Sequence, residues 1–475
     1  MNRREFLAAA TAAPLAAQAQ GAGDRLHGRE LFVDTKWIES LRGASLRMHA
    51  PVARGAALKL DRSWEGAFSA YFTMLRVESG FRAYYRGVPN SGADGRGDEV
   101  TCYAESRDGI EWTKPSQNVL LKEQPPFSHN FTPFIDPRPG VPEGERFKAL
   151  AGTSRSGLMA FVSGDGLRWR RWREAPVLPP AKVTRYDSQN LAFWSASEGR
   201  YVLYFRTFKD VPGKGRIRWV SRTTSDDFAN WAEPVEMRFL TRTGQPAPPD
   251  HLYTNQTSAY FRAPHIYVAI AARFLPGRQV LTPEEAQAIR VDPGYFKDTS
   301  DAIMMTTRGG DSYQRTFLET FLRPGLGMGN WVSRTNYPAL NLLQTGPDEM
   351  SLYVNRNYGQ PTAHLARYSL RLDGLASLHA DYEGGEMTTR PFVVNGSGLD
   401  INYSTSAAGS IRVQVEDAQG AAVSGFSFDD CREIIGDQIS RAVTWRGTDL
   451  AALRNKTVRL RFKLHDADLF SWHVA

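Results

Sequence analysis

The sequence predicts an all-β chain, a five-bladed β-propeller followed by a C-terminal β-sandwich, and three observations carry that expectation. A short turn pattern recurs: Ser-Arg-Asp-Gly-Ile-Glu-Trp at 106–112, Ser-Gly-Asp-Gly-Leu-Arg-Trp at 163–169 and Ser-Asp-Asp-Phe-Ala-Asn-Trp at 225–231, with a weaker copy at 307–313. Segments rich in β-branched and aromatic residues stand ahead of the copies at 81–86, 146–151, 200–206 and 265–270. Their spacing, roughly 55 to 80 residues, suits one four-stranded blade with its loops. After Gly384-Gly385 the pattern changes to short alternating segments at 401–404, 411–415, 442–445 and 458–463, which read as a compact sandwich over 381–475.

In chain order, the first element is an export signal. Arg3-Arg4 precede an apolar, alanine-rich run that ends in Ala17-Gln18-Ala19, so residues 1–19 read as a cleavable twin-arginine signal peptide. A periplasmic or secreted location follows from that reading. Residues 20–60 read as an N-terminal extension leading into the propeller, and the five blades fill 61–380. The fifth unit runs from Trp331 through 351–355 to 366–371 and lacks the Asp-Gly turn. One helix start stands out, Thr282-Pro283-Glu284-Glu285, with Pro and two acids in the first turn of a surface insertion in blade four. In each repeated turn, Ser and Asp can close the backbone through side-chain hydrogen bonds while the aromatic residue packs beneath, so the repeat reads as architecture and not catalysis.

Composition narrows the function. The net charge of +7 comes from scattered residues, with no basic run that resembles a nucleic-acid arm. Beyond the signal, no apolar run approaches the length of about 20 residues that crosses a bilayer, so no membrane insertion is expected after signal cleavage. The two cysteines, Cys102 and Cys431, are read as buried free thiols. No His-Glu-x-x-His helix, Gly-x-Ser-x-Gly elbow or dinucleotide fingerprint occurs. No cofactor and no metal ligand set is therefore expected, with a structural calcium left open.

Blades that close with Ser-x-Asp-Gly-x-x-Trp resemble those of the five-bladed propeller glycoside hydrolases, the clan containing families 32 and 43, over roughly two thirds of the chain. Within that clan the chain is most similar to exported planctomycete-type proteins of family 32-like sequence. The resemblance implies inward carboxylates on different blades, one attacking or activating water and one protonating the leaving oxygen. Carried onto this sequence, it places Glu65 of Ser63-Trp64-Glu65-Gly66 as nucleophile or base, where the clan has Asp. It places Asp187 of Tyr186-Asp187-Ser188 as general acid, where the clan has Glu. Asn130 stands near the expected second acid, and Asp136-Pro137 reads as a structural turn.

Trp64, His129, Asn130, Arg185, Gln189, Asn190, His251, Tyr253, Asn255, Arg334 and Asn336 are the expected substrate-binding residues. Amides offer both donors and acceptors to sugar hydroxyls, Arg a directional fork, and Trp or Tyr a stacking face. The expected partner is an oligo- or polysaccharide, and the expected activity an exported glycoside hydrolase. A non-catalytic glycan-binding propeller and a phosphate-dependent glycoside phosphorylase, using Arg334 and His251, stay open. A sialidase reading would want an arginine triad, towards which Arg185 and Arg334 count, but the repeats lack the residue that separates Asp from Gly in a sialidase box.

Overall fold

The structure, a computed structural model, describes residues 24–93, 95–121, 125–182 and 185–475. The export signal expected over 1–19 lies outside the described residues.

Five sheets form the propeller. Blade one comprises Ala70–Val77, Gly80–Gly87 and Val100–Ser106; blade two Thr132–Ile135, Phe147–Thr153, Gly157–Ser163 and Arg170–Arg171. Blade three comprises Leu191–Ser195, Arg200–Val211, Gly215–Ser225 and Val235–Glu236. Blade four is built on Ala263–Leu275 and Thr299–Thr307, and blade five on Glu349–Arg356 and His364–Arg371. The innermost strands neighbour one another in blade order, and the last meets the first: Thr73 bridges Leu340 in parallel, with Met74 N–H donating to Leu340 O at 3.0 Å. A second closure comes from the chain start, because Val52–Lys59 is the outer strand of blade five, antiparallel to His364–Arg371. Closing the ring in this way leaves no long inner edge unpaired.

The repeated turns form as the sequence predicts and also join the blades. Asp165 Oδ1 accepts from the N–H groups of Leu167 and Arg168, both at 2.8 Å, and Ser163 Oγ from Gly166 N–H at 2.9 Å. Gly166 has φ +72° and Gly109 +75°, a left-handed geometry that favours glycine; in the third copy Phe228 takes it with φ +67°. Trp169 lies edge-on to Tyr84 of blade one, whose hydroxyl donates to Gly166 O at 3.0 Å. Trp112 meets Tyr353 of blade five in the same way, and the Tyr353 hydroxyl donates to Gly109 O. Each turn therefore latches its blade to the preceding one.

The remaining sheet has ten strands and forms the C-terminal β domain. The short segments expected there merge into two long paired strands, Leu399–Asp417 and Thr457–Val474, wrapped about a core that includes Ile401, Val413, Trp445, Phe462 and Trp472. Its edges are not where the sequence reading drew them. Arg29–Leu31, Ile38–Arg42 and Ala44–Met48, within the expected N-terminal extension, pair into this sheet, as does Ala376–Ala380 from the expected end of the propeller. These strands have no local signal because their partners lie hundreds of residues away. A buried polar hub ties this domain to blade four: Asp373 accepts from Tyr260 OH at 2.8 Å and Ser471 OH at 2.7 Å and pairs with Arg262 at 3.1 Å. Cys102 and Cys431 are free and buried, as expected. Among the described residues no helix is long and apolar enough to cross a membrane, and no group of three His, Cys, Asp or Glu is placed to hold a metal ion.

Candidate functional site

The inner strands begin at one end of the ring, and there the backbone is strained. Tyr71 (φ +60°), Tyr186 (+64°), Gln256 (+52°), Arg334 (+58°) and Asn336 (+63°) head the inner strands of blades one, three, four and five. Left-handed geometry in such residues costs on the order of 1–3 kcal/mol each and gathers where side chains must be aimed. Pairing also slips between Ala70 and Thr73 and between Leu252 and Thr254, so Tyr71 and Tyr253 sit on β-bulges. A bulge re-aims the residue it carries, and both rings enter one cleft.

That cleft is lined by Tyr71, Tyr253, Tyr295, Tyr337 and Tyr358, with Arg86, Arg334 and Glu99 among its charged groups. Below it the propeller axis is closed by amides. Gln189 Nε2 donates to Thr73 Oγ1 at 2.9 Å, and Gln256 Nε2 to Gln189 Oε1 at 2.7 Å and Pro338 O at 2.8 Å.

One carboxylate, Glu99, lines this mouth, and a second, Asp187 of blade three, stands behind its Tyr253 wall on Arg206. Glu99, next to the strand Val100–Ser106, lies 3.1 Å from His129 Nδ1 and accepts from Gly95 N–H at 3.1 Å. Burial pushes its pKa up, but the His129 hydrogen bond and charge, Arg86 and the Gly95 N–H outweigh burial and hold it below the ordinary value. Glu99 is thus a carboxylate at neutral pH. Its oxygens only accept, so the shared His129 Nδ1 carries the proton, although Arg86 Nη1 also lies 3.1 Å from that atom. Asp187, in the loop before Leu191–Ser195, is ion-paired to Arg206, and its side chain is 20% exposed. Tyr71 stands between the two residues, meeting the backbone carbonyl of Asp187 on one side and the His129 ring on the other. Its hydroxyl reaches Asp187 O at 3.4 Å, and its ring lies 5.7 Å from the His129 ring and 4.6 Å from the Arg86 guanidinium.

Glu65 is not part of this site, which corrects the expected Glu65–Asp187 pair. Its carboxylate is fully buried inside blade one, where it accepts from Tyr85 OH at 2.6 Å, Lys114 Nζ at 2.7 Å and Arg62 N–H at 3.0 Å. Each oxygen is engaged and none faces the cleft. Trp64 leaves the site with it, its indole N–H donating to Asn118 Oδ1 at 3.0 Å.

Of the expected binding residues, Tyr253 and Arg334 line the cleft, and His129 stands behind it on Glu99. The others are spent on backbone or on the axis. Asn130 Nδ2 donates to Gly152 O at 2.7 Å and Ser188 O at 3.0 Å, and Asn190 Nδ2 to Ser188 O at 3.1 Å. Asn336 Nδ2 donates to Ser300 O at 2.8 Å, and Asn255 Oδ1 accepts from Thr257 OH at 2.8 Å. Gln189 belongs to the closed axis. Arg185 holds Ser154 through its backbone, its N–H donating to Ser154 Oγ at 2.8 Å. His251 lies outside the cleft, accepting from Arg218 N–H at 3.2 Å; burial, with Arg218 and Lys214, lowers its pKa.

The sequence reading did not reach Tyr71, Arg86, Glu99, Arg206, Arg218, Tyr295, Tyr337 and Tyr358. One signal was present. Arg86, Arg273 and Arg356 fall at or near the end of the second strand of their blades, and Arg206 lies two residues past the Tyr204 that pairs with the start of its inner strand. Antiparallel pairing sets that end beside the start of the inner strand, as Arg86 opposite Ala70 illustrates. The blade-four insertion also contributes. Its helix, Pro283–Ala288, is closed by a Thr282–Glu285 capping box, and Tyr295 beyond it enters the cleft wall, held by Ser333 N–H at 2.7 Å from its carbonyl.

No family model and no curated protein matches this chain, so the narrower likeness to planctomycete-type family 32-like proteins finds no support. Solved structures do match. An N-acetylgalactosamine deacetylase from F. plautii is 13% identical, over 70% of this chain and 96% of that chain, with a TM-score of 0.45. A family 43 arabinoxylan arabinofuranohydrolase from Bacillus subtilis is 11% identical over 86% and 96%, with 0.38. An α-L-arabinofuranosidase from Fusarium graminearum is 10% identical over 68% and 98%, with 0.36. No residue role is carried over from any of them.

Proposed function

We propose that the protein is an exported, periplasmic or secreted, glycoside hydrolase that works in the tyrosine-lined mouth of the propeller, with Asp187 and Glu99 as its carboxylates. The observation that carries this reading is an aromatic cleft with one acid, Glu99, in its lining and a second, Asp187 from another blade, ion-paired to the Arg206 that packs on the cleft residue Tyr253. Glycoside hydrolysis needs two carboxylic groups in different protonation states on opposite sides of the scissile bond. Glu99, held ionised, is the nucleophile or general base. Asp187 is the general acid, a role that requires bound substrate to draw it out of its Arg206 ion pair so that it can hold a proton, and tyrosine faces supply the apolar platform on which sugar rings stack. No organic cofactor enters the reading.

The test is reducing-end release from a panel of plant, algal and microbial polysaccharides. Asp187→Asn and Glu99→Gln are each expected to lower kcat/KM by at least about 100-fold on whichever glycan the wild type cleaves. Turnover unchanged in both variants would overturn the assignment. One observation favours a second reading, a glycan-binding propeller without turnover: each acid already has a cationic or imidazole partner in the free protein. Glycan binding by the wild type with no product from any member of the panel is the outcome expected of that reading, and product formed only with added phosphate that of a phosphorylase.

A further inference from the structure

Three guanidinium groups crowd one ring of the mouth. The Tyr253 ring centroid lies 4.7 Å from the guanidinium carbon of Arg206, 4.6 Å from that of Arg218 and 5.4 Å from that of Arg334. Arg334 also lies 4.9 Å from the Tyr295 ring, and its only hydrogen bond among the described residues is a long one, 3.4 Å, to Tyr295 Oη. Arg206 is answered by Asp187. Among the described residues, no carboxylate lies within 4.0 Å of Arg334 or Arg218. Attraction to the ring faces does not neutralise like charges packed round one side chain.

The surrounding polar groups have the same polarity. The Tyr337 hydroxyl, Arg206 Nε and Arg218 Nε are buried and have no hydrogen-bond partner among the described residues. Burial keeps the Tyr337 and Tyr295 hydroxyls protonated by raising their pKa. The two orphaned guanidinium nitrogens can only donate, and the Tyr337 hydroxyl has a proton to give. Buried donors without acceptors are rare in folded proteins, and where they gather they mark the place of a missing acceptor. Of these groups, Arg334 and Tyr337 line the open cleft.

We infer that this subsite receives an anionic substituent of the glycan, a carboxylate or sulfate on the sugar, with Arg334 as its fork and the Tyr337 hydroxyl beside it. A planar oxyanion matches the guanidinium edge bidentately and brings only acceptors to a set of donors. The same charge explains why a cleft with five tyrosines would select acidic over neutral sugars of equal size. The inference rests on the reading of the mouth as a glycan site.

The experiment measures binding of length-matched oligogalacturonides, oligoglucuronates and sulfated oligosaccharides, each beside its carboxyl-reduced or desulfated counterpart. Asp187→Asn protein is used so that turnover does not consume the ligand. The parent protein is expected to bind at least one acidic series about ten-fold or more tightly than its neutral counterpart, and less tightly as salt rises. Arg334→Gln is expected to abolish that preference, and Arg334→Lys, which keeps charge but loses the fork, to restore part of it. Unchanged thermal unfolding of both variants excludes misfolding as the cause. Equal affinity for acidic and neutral ligands, no binding to any series, or a preference that survives Arg334→Gln would overturn the inference. So would phosphate-dependent turnover in which inorganic phosphate competes for Arg334. Acidic preference without hydrolysis by wild-type protein would sink the hydrolase reading and leave this one standing; hydrolysis of neutral glycans with no acidic preference would do the reverse.

Discussion

The interior of blade one and the mouth of the funnel each hold a carboxylate beside a cation, and the two are opposite in character. Glu65 is fully buried and its partners all belong to one blade and its flanking loops, so its ion pair with Lys114 fastens the start of blade one to the segment after the first repeated turn. Asp187 is 20% exposed and bound by Arg206 from the second strand of blade three, with Tyr71 of blade one above it. A carboxylate that has filled all its hydrogen-bond positions inside a blade is structural. One that is partly exposed and held by a single guanidinium next to a cleft can meet a ligand. Their neighbours in sequence, Trp64 and Tyr186, look equally suited to a sugar site, so sequence context does not separate them.

The largest expected effect tests that contrast directly. Glu65→Ala takes the buried acceptor from Tyr85 and Asn118 and leaves Lys114 with only the exposed Asp61 as its carboxylate, and a cost of about 3–5 kcal/mol in urea unfolding is expected. Asp187→Asn keeps an oxygen that accepts from Arg206 and is expected to cost less, about 1–2 kcal/mol, while removing activity. A Glu65→Ala protein of wild-type stability that had lost only turnover would break the comparison.

A smaller effect lies at Glu99. Its pKa in the folded protein is depressed below the ordinary 4.5. Its contribution to stability is therefore complete above the unfolded value and is lost as pH falls through the folded one. Glu99→Gln is expected to lower the melting temperature near neutrality, where the ionised carboxylate contributes, and to flatten the acid side of the melting temperature against pH profile below about pH 4.5, where the two proteins converge. An acid limb identical to the wild type's would remove Glu99 from the charge network of the mouth.

The smallest effect belongs to the rim. Asp165→Ala removes the acceptor for two backbone N–H groups in the turn of blade two. A loss of about 1 kcal/mol is expected, read as a lower midpoint of chemical unfolding with activity retained. Loss of glycan turnover at unchanged stability would place the repeated turns in the site rather than in the scaffold.

The repeated turns were legible because everything they need lies within seven consecutive residues: a Ser and an Asp to accept, a residue able to take positive φ, and an aromatic side chain to pack beneath. The blades were legible from strand composition and spacing, and the blade-four helix from its cap. Tyr253 and Arg334, which line the cleft, were legible because they stand in polar strings ahead of inner strands. Glu65 was assigned to the funnel on the same kind of evidence, which does not say which way a side chain leaves the chain. Glu99 and Arg86 were missed because they stand before the third strand and at the end of the second strand of blade one, away from the polar strings that head the inner strands, and antiparallel pairing within the blade brings Arg86 beside Ala70 at the mouth.

By itself, then, the sequence determined the all-β class, the blade repeat and the turns that latch one blade to the next, since these are set by short-range hydrogen bonding and by alternation along single strands. The tertiary structure alone decided which acids face the cleft, that strands from residues 24–48 complete the C-terminal sheet, and that three arginines meet on Tyr253. Those outcomes depend on β-bulges, left-handed residues and contacts between segments far apart in the chain, and none of them has a fixed spacing in the sequence.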